Sequence, residues 1–138
     1  MVKDIMPVTE INHINLRANR DVMHILRDFY CDIVGLKVGP RTATTSYGFW
    51  LYIGDNDVVH IAEYKRVEGS DKAAPDLHVN GTYDHVSFTC TDMTGMEAHL
   101  QAHQIPYTTR TLNNGVQQIN FKDPAGNGIE LNFNPPDF

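Results

Sequence analysis

The sequence predicts an α+β fold made of two βαβββ modules, their strands forming a curved mixed sheet around a cavity with the helices on the outer face. Three observations lead there. The strand-like segment Asn12-His13-Ile14-Asn15-Leu16 has a weak copy at Asp84-His85-Val86-Ser87-Phe88. Each copy is followed by one helical pattern and then three strand-like runs. A polar stretch with Gly69, Pro75 and Gly81 separates the two series. The 138 residues suit one domain with its own core. Within it, module 1 spans about 9–65, a linker about 66–81, and module 2 about 82–135.

The opening strands alternate apolar and polar side chains, the mark of a sheet with one buried face. The first helix opens near Asn19 or Asp21, both good N-caps, and sets Val22, Leu26, Phe29, Tyr30 and Ile33 on one side. Gly35 stands where a left-handed C-cap belongs. Strands follow at 35–38, 47–53 and 58–64, with Gly54-Asp55-Asn56-Asp57 turning the chain. The second helix opens at Asp92, sets Met93, Met96 and Leu100 together, and stops before Ile105-Pro106, because a residue preceding proline avoids the helical region. Strands at 107–110, 116–121 and 128–133 complete the repeat, with Asp123-Pro124-Ala125-Gly126-Asn127 as the matching turn.

Parity sorts the strand residues into two faces. Ile14, Leu16, Val59, Ile61, Val86, Phe88, Ile119, Phe121, Ile129, Leu131 and Phe133 form an apolar face for the helices. The other face carries His13, Asn15, His60, His85, Ser87, Gln118, Asn120, Glu130 and Asn132. A polar face is by default a solvated one. Here, however, the first strand of each module places a histidine at the same position, His13 and His85. The last strand of each module pairs His60 with Glu130. Under a pseudo-two-fold axis these four converge, and imidazole with carboxylate suits Fe, Mn, Zn, Ni or Co. Three protein ligands leave open positions for water or substrate, as in catalytic sites. The cavity is therefore expected to be a metal cavity.

Other side chains are read around that centre. Asn15, Gln118 and Asn132 are candidates to bind substrate or support ligands. Trp50 and Tyr52, with Tyr47 and Tyr64, are candidates for an aromatic wall or for plain sheet core. His24, His99 and His103 fall in helical stretches and read as surface residues. His78 lies in the linker, and the polar loop from Arg41 to Ser46 could cover the cavity.

Composition excludes several partners. A net charge of -6 opposes phosphate backbones, so nucleic acid is not expected. No stretch approaches the roughly 20 apolar residues of a membrane span, and Met1 to Glu10 has no basic region followed by an apolar run, so a signal peptide is not expected. Two cysteines, Cys31 and Cys90, fit free thiols in a reducing cytoplasm. Neither suits ligation, since Cys31 lies in the first helix and Cys90 on the apolar face.

At these residues the chain resembles the vicinal oxygen chelate superfamily, over about residues 9–135. That group includes glyoxalase I, extradiol ring-cleaving dioxygenases, fosfomycin-resistance thiol transferases and bleomycin-binding proteins. The matching pieces are Asp123-Pro124-Ala125-Gly126-Asn127-Gly128-Ile129-Glu130-Leu131, Tyr83-Asp84-His85-Val86, and Phe29-Tyr30-Cys31-Asp32-Ile33-Val34-Gly35-Leu36. The resemblance implies metal ligation by His13, His85 and Glu130, with His60 as a fourth ligand or a nearby acid/base. Glyoxalase I has glutamate where this chain has His60. The extradiol dioxygenases need only the equivalents of the other three. The implied activity is that of a divalent-metal enzyme, Fe(II) favoured, binding a small molecule through two adjacent oxygens in a dioxygenase-like reaction. A glyoxalase I-like lyase or isomerase and a metal-free binding protein are the alternatives. The resemblance also implies a homodimer in which His13 of one subunit meets His85 and Glu130 of the other.

Overall fold

The computed structural model describes residues 9–42, 46–64 and 83–135. The expected linker, His78 and the middle of the Arg41–Ser46 loop lie outside the described residues. Module 1 runs β1 (Ile14–Ala18), α1 (Arg20–Phe29), β2 (Lys37–Gly39), β3 (Gly48–Ile53) and β4 (Asn56–Glu63). Module 2 runs β5 (His85–Cys90), α2 (Met93–Ala102), β6 (Thr108–Thr111), β7 (Gln117–Lys122) and β8 (Gly128–Phe133). The strands form two four-stranded mixed sheets, ordered β1-β4-β3-β2 and β5-β8-β7-β6. In each, the first and last strands of the module are parallel and adjacent, and the rest are antiparallel.

That order is the physical expression of the repeat. The helix carries the chain from β1 to β2 at the far edge of the sheet, and β3 and β4 return until β4 lies parallel against β1; α2 does the same from β5 to β6, with β8 closing on β5, the long connection that parallel pairing requires. Asn19 caps α1 by accepting from the Val22 amide at 3.1 Å, and Asp92 caps α2 by accepting from Gly95 at 3.0 Å. Asp92 does so from a left-handed backbone, φ 63°, a conformation Asp tolerates better than most residues. Gly35, at φ 99°, ends the first helical segment as expected. That segment is not uniform: after Phe29 it widens into a π-helical turn, Tyr30–Val34. Apolar spacing alone does not distinguish such a turn from a continued α-helix.

The apolar faces meet as expected. Val59, Ile61, Ile119, Ile129 and Leu131 are fully buried, together with Met23, Leu26 and Tyr30 from the first helical segment and Leu100 from α2. Each large side chain buried this way contributes roughly 1.5–3 kcal/mol. A buried polar bond crosses this seam between modules: the Tyr30 hydroxyl donates to Asp123 Oδ2 at 2.8 Å. The Asp123 side chain also accepts from the Ala125 and Asn127 amides and from Asn127 Nδ2, each at 2.9 Å. Burial beside that carboxylate pushes the Tyr30 phenol far above its ordinary range. None of the described helices is long and apolar enough to cross a membrane.

The helical histidines are less peripheral than expected. His24 is half-buried, hydrogen-bonded to Tyr47 and edge-on to Phe49. His99 is half-buried and donates from Nε2 to the Asp32 carbonyl at 2.9 Å. His103 is exposed, as read from sequence.

Candidate metal centre

The polar faces of the sheets carry two histidine-centred groups, one per module. In module 2, Ser87 pairs with Glu130 across the parallel β5–β8 ladder, and His85 pairs with Gly128 one step away. This brings His85 Nε2 to 3.6 Å from Glu130 Oε2. Two ligands each about 2.0–2.2 Å from one ion are separated by about this much. The other imidazole nitrogen, Nδ1, donates to Asp84 Oδ2 at 2.7 Å. That bond fixes the ring and leaves Nε2 to the open face, the usual arrangement behind a metal-ligating histidine. The Asp84 carboxylate holds the His85 imidazolium above the ordinary histidine range, opposed by slight desolvation and helped by Glu130. The same bond lowers Asp84.

Glu130 has its own support. Asn132 donates from Nδ2 to Glu130 Oε2 at 3.2 Å and also to Ser87 Oγ. Gln118, which is buried, donates from Nε2 to Asn132 Oδ1 at 2.9 Å. Gln118 and Asn132 thus hold the carboxylate in place. Gly128 is needed for a different reason. A Cβ there would strike the Asp84 carbonyl and come within 2.8 Å of His85 Cβ.

In module 1, His13 stands one residue ahead of β1 and donates from Nδ1 to Asn12 Oδ1 at 2.7 Å. Its ring lies parallel to that of His60, centroids 3.7 Å apart and planes 14° apart. The other side of His60 is covered by Trp50, at 4.5 Å and 8°. His60 Nε2 donates to Asp57 Oδ2 at 2.6 Å, and that bond lowers the Asp57 carboxyl. Asn15 is exposed and pairs with His60 across the β1–β4 ladder. Tyr52 does not join the group. Its ring covers Gly39 and its hydroxyl donates to the Pro40 carbonyl. Tyr47 faces α1, bonded to His24 and under the Arg20 guanidinium.

The four expected ligands therefore assemble as two pairs. Among the described residues no three His, Cys, Asp or Glu side chains stand together as a metal cage. The reason is topological: the pairs belong to separate sheets, and β1 and β5 share no ladder. His13 and His85 nevertheless line one cavity of about 590 Å³ between the free edges of those strands, with Ile14, Val58, Val86 and Phe88. A second cavity, about 450 Å³, opens beside His85 and is lined by Tyr107, Thr108, Asn120 and Lys122. By donor chemistry the residues fit a divalent ion: a histidine and a carboxylate within reach of one cation, and a second histidine with Nε2 free. Asp84, Asp57 and Asn12 are the residues the sequence reading missed. Each orients a histidine, and for Asp84 and Asn12 the available signal was direct adjacency to one.

The family model described as "Glyoxalase/Bleomycin resistance protein/Dioxygenase superfamily" matches residues 10–131. Solved structures share the fold at low identity. A glyoxalase/dioxygenase from Nostoc punctiforme superposes with a TM-score of 0.73 at 17% identity, covering 99% of this chain and 100% of its own. Lactoylglutathione lyase from Agrobacterium tumefaciens gives 0.64 at 18%, covering 93% and 96%. TnmS3, an antibiotic binding protein from a Streptomyces species, gives 0.65 at 17%, covering 96% and 100%. No curated protein matches the sequence significantly.

Proposed function

The chain belongs to the glyoxalase/bleomycin resistance protein/dioxygenase superfamily, and from that premise we propose that it is a divalent-metal enzyme of dioxygenase-like, extradiol type acting on a small molecule with two adjacent oxygens. The observation that carries this reading is the His85–Glu130 pair: Nε2 and carboxylate 3.6 Å apart, the imidazole locked from behind by Asp84 and the carboxylate by Asn132. With His13 these form the two-histidine, one-carboxylate set used by non-haem iron oxygenases, and Fe(II) is the favoured ion. When bound, such an ion supplies Lewis acidity and a template for the two substrate oxygens.

The chain's own residues do the remaining work. His85 and Glu130 present their donor atoms to one point. Asp84 and the Gln118–Asn132 relay keep those atoms from turning away. The 450 Å³ cavity beside His85 receives the body of the substrate, and its Tyr107 and Pro106 offer apolar contact while Thr108 and Asn120 offer hydrogen bonds. Asn15 and Trp50 are the candidates for substrate contact from the other module.

The split into two pairs supports a homodimer, in which the His13 pair of one subunit closes on the His85 pair of the other. Among the described strands nothing pairs with the outer edges of β1 and β5, and Ile11, Ile53 and Tyr83, which line the cavity between them, are exposed. Unpaired edges with apolar cover are surfaces that proteins protect by association.

A glyoxalase I-like reaction remains the second reading, favoured by retention of the His85–Glu130 pair. Purified protein loaded with Fe(II) should consume O2 with catechols under air. Iron-loaded protein that takes up no O2 across a panel of aromatic diols overturns the oxygenase reading, and turnover of a hemithioacetal under argon establishes the second. Protein that binds no first-row divalent ion at micromolar concentration is a small-molecule binder instead.

A further inference from the structure

We infer that Trp50 and His60 form a stacked platform that fixes the His13 imidazole for ligation, and that His60 is a positioning residue and not itself a ligand; this rests on the metal-centre reading above. His85 is the first residue of β5 and is held in register against Gly128. His13 has no such anchorage, because the β1 ladder begins one residue later, with Ile14 against Val59. A side chain ahead of its strand needs another source of order. The structure holds one: indole, imidazole and imidazole in a parallel pile, centroids 4.5 and 3.7 Å apart and planes within 14°.

The middle ring is the fixed one. Trp50 pairs with His60 across the β3–β4 ladder, so both bases of the pile stand on backbone in register. Asp57 fixes the rotation of His60 by accepting from Nε2 at 2.6 Å. This occupies the nitrogen that in His85 stays open, and Trp50 and His13 occupy the two ring faces. Asn12 then sets the rotation of His13 through Nδ1, leaving its Nε2 as the free donor. Module 2 has no counterpart to the pile. Asn120 and Glu130 occupy the places of Trp50 and His60, paired in the same way, and Glu130 carries a ligand atom instead of a platform. The module whose histidine is anchored by backbone spends its neighbouring position on a ligand. The module whose histidine is not anchored uses it for support.

Two measurements on the full chain test this. In the metal-free protein, the His13 ring protons should resonate upfield, beneath the His60 and Trp50 rings, and move downfield in Trp50→Leu. In cobalt(II) titrations followed by visible absorption, Trp50→Leu and His60→Ala should each weaken binding about ten-fold or more, the loss typical of removing a ligand's support. Trp50→Phe should restore most of it, and His60→Phe, which keeps the ring but loses both nitrogens and the Asp57 bond, should bind much closer to wild type than His60→Ala does. Loss of cobalt in His60→Phe equal to that in His60→Ala overturns the platform and makes His60 a ligand. Unshifted His13 protons, or Trp50→Leu binding as the wild type, overturns it as well. Wild-type protein that takes up no cobalt removes the metal-centre reading and this inference with it, even where the stacked resonances stand.

Discussion

Modules 1 and 2 place a histidine at the same point and secure it by different means. In module 2 the strand itself does so: His85 begins β5, lies over Gly128 and is braced by Asp84. In module 1, Val58 takes the place of Gly128, β1 begins one residue later, and His13 is braced by the His60 and Trp50 rings. A bare glycine lets the neighbouring backbone come close enough for the ladder to reach the histidine. A valine at the same place leaves aromatic packing to do the task. Near-identical topology therefore does not imply that equivalent residues are held by equivalent forces.

The largest expected effect comes from erasing this difference. Gly128→Val imports the side chain of module 1 into module 2 and forces contact with the Asp84 carbonyl and His85 Cβ. Overpacking of this kind costs about 1–3 kcal/mol or more, and here it also displaces His85, the proposed ligand. Cobalt binding should be lost, and urea denaturation should show the destabilisation; unaltered cobalt affinity would show that the ladder does not position His85.

Next in size is the seam that joins the modules. Tyr30→Phe removes the hydroxyl bound to Asp123 and leaves a buried carboxylate short of one donor, which should cost about 1–3 kcal/mol in urea denaturation. A loss well below this range would mean that the apolar contacts and the His99–Asp32 bond hold the modules together without it.

A smaller effect concerns pH. Asp84 raises the His85 pKa, so the imidazole keeps its proton to higher pH than an ordinary histidine and competes with metal there. Cobalt affinity should rise with pH through that raised value. Asp84→Asn, which removes the carboxylate charge, should move the midpoint to lower pH; an unmoved midpoint would separate Asp84 from the control of His85. The smallest effect is at the first helix: Asn19→Ala, which deletes the α1 cap, should cost about 1 kcal/mol in thermal or urea unfolding while leaving cobalt binding as it was.

The fold was legible because strand parity and the repeat are local patterns. Val59, Ile61, Ile129 and Leu131 alternate with polar residues, and that period needs no tertiary knowledge. The His85–Glu130 pair was legible for a related reason: in a βαβββ module the first and last strands are neighbours. The inward direction of Trp50 and the outward direction of Tyr47 were not, since an aromatic residue on a strand suits a cavity wall and a helix contact equally well. Tyr52 illustrates the same limit, spent on the shielding of Gly39. The separation of the four expected ligands into two pairs was hidden because no local pattern records how far one sheet stands from another. The π-helical turn after Phe29 was hidden because its residues satisfy the α-helical spacing as well.

The two halves are joined at Tyr30 and Asp123, with apolar side chains of both packed around that bond, and His13 and His85 lie apart from this joint, at the cavity between β1 and β5. A substitution that rewrites the chemistry of one half therefore leaves the mechanical connection intact. Such a duplicated architecture can change its reactive groups one half at a time, keeping a stable body throughout, and the unequal histidine supports seen here are what that freedom permits.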